Sequence, residues 1–223
     1  MTFSGEDEGL NAAIYAKLRK RLVNGGMAPG HELSTRSLAA ELGVSQTPVR
    51  DALSRLAAEG AVAIRSKRRV RVPPMTEARF DDLLRCRLLL EPEAAVLALP
   101  HLTPEHVGLL QAADISLDTA IATGDAEAYM QSNHDFHFTL YRAYPGAVLA
   151  QLIETLWLQF GPYMRVVFGR VSGANLHDNH KAAIAAIEAR DAPALRAAIT
   201  ADINDGMGLL GRDGLALDGA PLP

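Results

Sequence analysis

Residues 34–72, STRSLAAELGVSQTPVRDALSRLAAEGAVAIRSKRRVRV, constrain the fold more tightly than any other part of this 223-residue chain. Leu38, Ala39 and Leu42 are spaced to bury one helical face, and Gly43 suits the left-handed residue that ends such a helix. A second helix opens at Ser45, a capping residue type, with Pro48 in its first turn, where a missing N–H costs little. Val49, Leu53, Leu56 and Ala57 form its apolar stripe. That leaves Gln46, Thr47, Arg50 and Ser54 at the N-terminal or outward side, the arrangement a DNA major groove accepts. Two short β-rich runs follow, 62–64 and 70–72, with Arg65, Lys67, Arg68 and Arg69 between them. They predict a hairpin with a cationic tip, a wing lying beside phosphates. An ordinary helical hairpin with a solvated basic loop is the alternative, but four basic residues within five positions, directly after a helix-turn-helix pattern, favour DNA.

The same residues carry a family resemblance. Residues 38–60, LAAELGVSQTPVRDALSRLAAEG, with the lead-in PGHEL at 29–33, resemble the GntR-type winged-helix signature over about the first seventy residues. The resemblance implies that Arg36 and Arg50 touch operator DNA. It also marks two departures, since relatives commonly have arginine where this chain has Gln46, and glycine where it has Lys67. The expected DNA-contacting set is Arg36, Ser45, Gln46, Thr47 and Arg50 for the helices and Lys67, Arg68 and Arg69 for the wing.

Charge supports this division. The chain is −4 overall, yet residues 1–75 hold 12 basic and 7 acidic side chains, and residues 76–223 hold 10 and 19. Positive charge is segregated with the helix-turn-helix, as DNA binding requires. Nearly half the residues are hydrophobic, enough to build a core. No apolar run is long enough to span a bilayer, no signal-peptide layout opens the chain, and the lone Cys86 excludes an intrachain disulfide, so a cytoplasmic protein with no membrane partner is expected.

Pro73-Pro74 marks a boundary, because the pair can neither continue a strand ladder nor sit inside a helix. The expected domains are 1–74, a winged helix-turn-helix, and 75–210, an all-helical antiparallel bundle, with 211–223 a disordered tail. The fold class is therefore mainly α. A helix is expected over 10–22, residues 27–32 form a loop, and the bundle helices run over 76–99, 103–123, 126–143, 147–168, 173–189 and 192–210. Pro92 falls inside the first of these, where it frees the Leu88 carbonyl.

The second half resembles the all-helical effector domain of the FadR-like branch, the FCD type, over about residues 80–207. The supporting motifs are Arg87-x-x-Leu90-Glu91, the pair Phe136-His137, and HKAAIAAIEARD at 180–191. Related domains often hold a divalent metal at the floor of a pocket for a small organic acid. Asn133, His137, His180 and Asp202 fall where that family places its ligands. The usual set has an aspartate first and three histidines after it, so here the carboxylate has moved from the first position to the last. Asn133 and His137 share a helix face, being four apart. The exchange softens any preference for zinc and leaves zinc, nickel or manganese as candidates. A hydrogen-bonded polar cluster without metal is the alternative. Arg87 is the candidate for gripping an effector carboxylate, with a salt bridge to Glu91 as its competing role.

These features together predict a ligand-responsive DNA-binding transcription regulator that acts as a homodimer on double-stranded operator DNA. It is expected to be a repressor released by a small organic acid, with no catalytic residues. Two alternatives compete, a metal-dependent enzyme built on the bundle and an effector-independent DNA binder. The chain lacks a nucleophile–base pair or an H-E-x-x-H motif, which counts against the enzyme.

Overall fold

The computed structural model describes residues 5–30, 32–66, 69–171 and 178–211. Helix α1 (Gly5–Val23) leads into β1 (Glu32–Ser34), α2 (Thr35–Leu42), α3 (Gln46–Ala58), β2 (Ala63–Ser66) and β3 (Arg69–Arg71). The three strands form one antiparallel sheet in the order β1-β3-β2, with Leu33 and Ile64 both opposite Val70. The first strand begins at Glu32, the last residue of the stretch expected to be loop, and its three residues pair with a wing strand far along the chain, a contact that local sequence does not encode. Ser34 caps α2, its hydroxyl accepting from the Ser37 N–H at 3.1 Å, and Gly43 ends that helix at φ +69°. Ser45 holds the cap position of α3 but makes no capping hydrogen bond, so its hydroxyl stays uncommitted. Leu18, Leu22, Val49, Leu56, Val62 and Val72 fill the core of this unit.

Beyond Pro73-Pro74 come α4 (Glu77–Ala98), α5 (Pro104–Thr123), α6 (Ala126–Arg142), α7 (Ala147–Phe160), α8 (Met164–Val171), α9 (Asn179–Glu188) and α10 (Ala192–Leu210), with 3-10 turns at Leu99–His101 and Gly161–Tyr163. The starts follow from side-chain caps that satisfy free backbone N–H groups: Thr76, Thr103, Asp125, Asp178 and Asp191 each accept from the residue three positions on. Pro92 lies buried within α4. Where a single helix was expected over 147–168, the chain instead breaks at Gly161-Pro162. Pro162 has no N–H to return to the Leu158 carbonyl, so the α-helical ladder cannot run through it. The helix expected from residue 173 begins at Asn179, and residues 172–177, like 212–223, lie outside the described residues.

This break is also where the two hydrophobic clusters meet. Leu158 of α7 is fully buried in the winged-helix core. Gly161 lies so close to α1 that a Cβ there would stand 2.6 Å from the Val23 Cα and 2.7 Å from the Leu22 carbonyl oxygen. Polar contacts complete the joint: Arg165 Nε donates to the Gly25 carbonyl at 3.1 Å, Tyr163 Oη to the Pro73 carbonyl at 2.8 Å, and Arg79 Nη2 to the Gly60 carbonyl at 2.9 Å. Arg19 reaches Glu154 of α7 at 2.6 Å.

Candidate functional site

On the winged helix, Arg36, Ser45, Gln46, Thr47 and Arg50 are all exposed, and Arg36 and Arg50 have no ion-pair partner among the described residues. Neighbouring arginines differ: Arg21 pairs with Glu41 at 2.6 Å and Arg55 lies 3.9 Å over the Tyr15 ring. Arg36 and Arg50 are thus free to meet DNA. Arg69 is exposed but already pairs with Glu32 at 2.8 Å, so as a phosphate contact it must exchange partners. Lys67 and Arg68, expected at the tip of the wing, lie outside the described residues.

A second polar centre is buried in the bundle. Nε2 of His137 on α6 lies 3.4 Å from Nε2 of His180 on α9 and 3.1 Å from Oδ2 of Asp202 on α10, while His180 Nε2 is 3.6 Å from Asp202 Oδ1. The protonation of His137 follows from its neighbours. Tyr141 Oη donates its single proton to Glu91 Oε2 at 2.9 Å, so the 2.9 Å contact between His137 Nδ1 and Tyr141 Oη needs the proton on Nδ1. In the neutral ring, Nε2 of His137 is then a lone pair. His180 has Asp114 Oδ1 3.6 Å from its Nδ1, and that carboxylate likewise favours the proton on Nδ1. Two imidazole lone pairs and a carboxylate then face one another with nothing positive between them, an arrangement that a bound cation or an added proton must relieve. Burial alone would lower the His180 pKa, but Asp114 and Asp202 raise it above the usual value. Burial opposes ionisation of Asp202, yet the protonated forms of His137 and His180, with Arg87, bring its carboxyl down to about 2 when no metal is bound. The donor set suits a divalent metal, with backing for both imidazoles from other polar groups.

His137, His180 and Asp202 thus come together as expected, and Asn133 lines the adjoining cavity of about 390 Å³. Arg87 lines it too but is not free: its guanidinium binds Glu91 at 2.6 and 3.5 Å and lies near the Trp157 and Phe160 rings. The role expected for it, gripping an effector carboxylate, therefore meets a competitor already in place, the alternative weighed from the sequence. Asp114 and Asp205 were not foreseen at the site. Asp114 carried a legible signal, because it interrupts the apolar stripe Leu110, Leu117 and Ala120 on α5, where a lone carboxylate needs a buried partner.

Residues 10–72 match the family described as bacterial regulatory proteins, gntR family, and residues 82–205 match the FCD domain. The chain is 32% identical over 185 residues to the HTH-type transcriptional regulator McbR of Escherichia coli (strain K12), covering 82% of this chain and 84% of that one. The structure of E. coli McbR/YncC matches with a TM-score of 0.85 at 29% identity, over 92% of this chain and 98% of that chain. The gluconate operon transcriptional repressor of Bacillus subtilis (strain 168) is 28% identical over 192 residues, covering 80% of this chain and 75% of the repressor. A GntR-type regulator from Rhodococcus sp. RHA1 has the same fold, with a TM-score of 0.71 at 21% identity over 90% of this chain and 97% of that chain. These relatives are named as regulators of transcription and not as enzymes, and no helix among the described residues is long and apolar enough to cross a membrane. The chain belongs to the GntR family of bacterial transcription regulators, with an FCD domain following its winged helix-turn-helix.

Proposed function

We propose that this regulator is a cytoplasmic homodimeric repressor whose hold on operator DNA changes when a small molecule enters the bundle cavity beside a divalent metal. Residues 1–74 are the DNA-binding unit in this proposal, and 75–210 the ligand-binding and dimerising one. Arg36, Ser45, Gln46, Thr47 and Arg50 contact bases and phosphates, with Lys67, Arg68 and Arg69 on the flanking backbone. His137, His180 and Asp202 hold the metal, with Asn133 beside them, and zinc, nickel and manganese all suit two imidazoles and one carboxylate. The metal supplies a fixed positive charge at the cavity floor.

One observation above all supports the coupling. Phe160 and Met164 line the cavity, while Leu158, Gly161 and Arg165 in the same broken helix grip the winged helix. A ligand that pushes on this segment acts on both units, which gives the differential contact that allostery needs. Exposed Leu89 on α4 and Val148 and Leu152 on α7 are apolar surface of the kind a dimer covers, and a B. subtilis relative is named a repressor.

The test selects an operator from random duplexes, then measures its affinity by fluorescence anisotropy with metal-loaded and chelator-treated protein. Elemental analysis of the parent, His137→Ala and His180→Ala runs alongside. One metal per chain in the parent, lost in both variants, supports the site. Full metal in both variants, or no operator recovered from the selection, defeats the proposal.

A further inference from the structure

We infer that Gln159 and Arg79 are positioning residues for operator recognition: they mount α3, the helix of Gln46, Thr47 and Arg50, on the bundle by its C-terminal end, and so set the half-site separation that the regulator accepts. This rests on the proposal that the protein binds DNA as a homodimer, and it adds a determinant of specificity that touches no base.

Carbonyls at a helix C-terminus lack partners within the helix and carry the negative end of its dipole. At the end of α3 two of them are met from the bundle. Gln159 Nε2 of α7 donates to the Glu59 carbonyl at 3.2 Å, and Arg79 Nη2 of α4 donates to the Gly60 carbonyl at 2.9 Å. The two side chains also hold each other, because Arg79 Nη2 donates to Gln159 Oε1 at 2.9 Å. Both protons of Nη2 and both ends of the amide are thus committed, a loop of bonds that fixes direction as well as distance. Gly60 completes the fit. It sits at φ +72°, and a Cβ there would stand 3.2 Å from Gln159 Cδ, so the amide packs against its bare Cα.

Stability alone does not call for this arrangement. Arg79 is half-buried, meets no carboxylate among the described residues, and burial pushes its pKa down. Dipoles offset only part of the desolvation of such a cation, so what the contact supplies is placement. The other bonds across the joint end on α1 at Arg19, on the turn at Asn24 and Gly25, and on the linker at Pro73. Those hold the winged helix as a body, whereas Gln159 and Arg79 fix the inclination of the helix that enters the major groove. Gln46 lies about 20 Å from Glu59 along the helix, so a change of inclination at this mount displaces the base-reading end. In a two-fold dimer the separation of the two α3 helices, and of the half-sites they read, follows from how each is mounted on its own bundle.

Operators are selected from random duplexes with the full-length parent, Arg79→Met and Gln159→Glu. Arg79→Met removes one donor. Gln159→Glu keeps an acceptor for Arg79, which protects the fold, but sets a carboxylate against the Glu59 carbonyl. Each protein is then titrated on the parent's operator and on duplexes whose half-sites lie one base pair closer or farther. The parent should prefer its own spacing by at least about tenfold, and both variants should reduce that preference to about threefold or less. The half-site bases selected should stay the same. The preference compares duplexes on one preparation, so any unfolded fraction of a variant cancels from it. A spacing preference unchanged in both variants overturns the inference. So does a change in the half-site bases, which would mean that the bonds shape α3 itself and not its mounting. A parent that selects a lone half-site defeats the homodimer reading, and the inference with it.

Discussion

Arg50 and Tyr141 show how single side chains divide the two tasks of this molecule. Arg50 stands exposed at the start of α3 with its charge uncommitted, whereas Arg69 on the wing strand already holds Glu32. Replacing Arg50 with alanine should weaken operator binding by about 1–3 kcal/mol, read by titration at fixed salt. An unchanged affinity would remove it from the base-reading set. Tyr141 touches no metal-ligating position except His137, yet it fixes which nitrogen of that ring bears the proton. Tyr141→Phe removes the oxygen that accepts from Nδ1 and should lower metal affinity by about 10–100-fold. Competition with a chromophoric chelator measures this, and equal affinity in parent and variant would show that the relay from Glu91 is irrelevant to the metal.

At the level of elements, the broken helix from α7 through the 3-10 turn to α8 joins the two units, and two of its residues test the joint. Gly161→Ala sets a methyl group against the backbone of α1, which cannot yield as a flexible side chain would. The variant should lose about 1–3 kcal/mol of stability by chemical denaturation, or release the winged helix so that ligand no longer alters operator affinity. A variant that melts and responds like the parent would exclude this contact as the coupling element. Glu154 of α7 is held by Arg142 and by Arg19 at 2.6 Å. Burial alone would raise its pKa, but the bonds to these arginines hold it below the usual carboxylate value. The stability it contributes is therefore present above the pKa of an unfolded glutamate and is lost as pH falls through the lower folded value. Glu154→Gln should cost about 1 kcal/mol at neutral pH and narrow its deficit to the parent on acidification, which melting curves across pH 3–7 would resolve. A deficit independent of pH would mean that the ion pair has no net role.

At the scale of the whole molecule, one recognition helix reads too few base pairs for useful discrimination, and pairing two half-sites multiplies it. Light scattering at micromolar concentration should give twice the 23.9 kDa chain mass, with two chains on each operator and a footprint of two-fold symmetry. A monomer binding one to one would contradict the dimer.

Much of this was legible before any coordinates. The order of amphipathic helices, their capping residues and the basic run at 65–69 depend on periodicity of about 3.6 residues and on local backbone chemistry, and α4, α5, α6 and α10 begin and end within a residue or so of the pattern. His137 and His180 were singled out through family resemblance, and the fold brings them together with Asp202. Tertiary structure alone decided the rest, because each case depends on partners far apart in the chain. Strand β1 exists because β3 pairs with it, and the break at Gly161-Pro162 matters because α1 lies against it. The state of His137 is set by a chain of contacts running back to Glu91, and Arg87 is withdrawn from the ligand by that same glutamate.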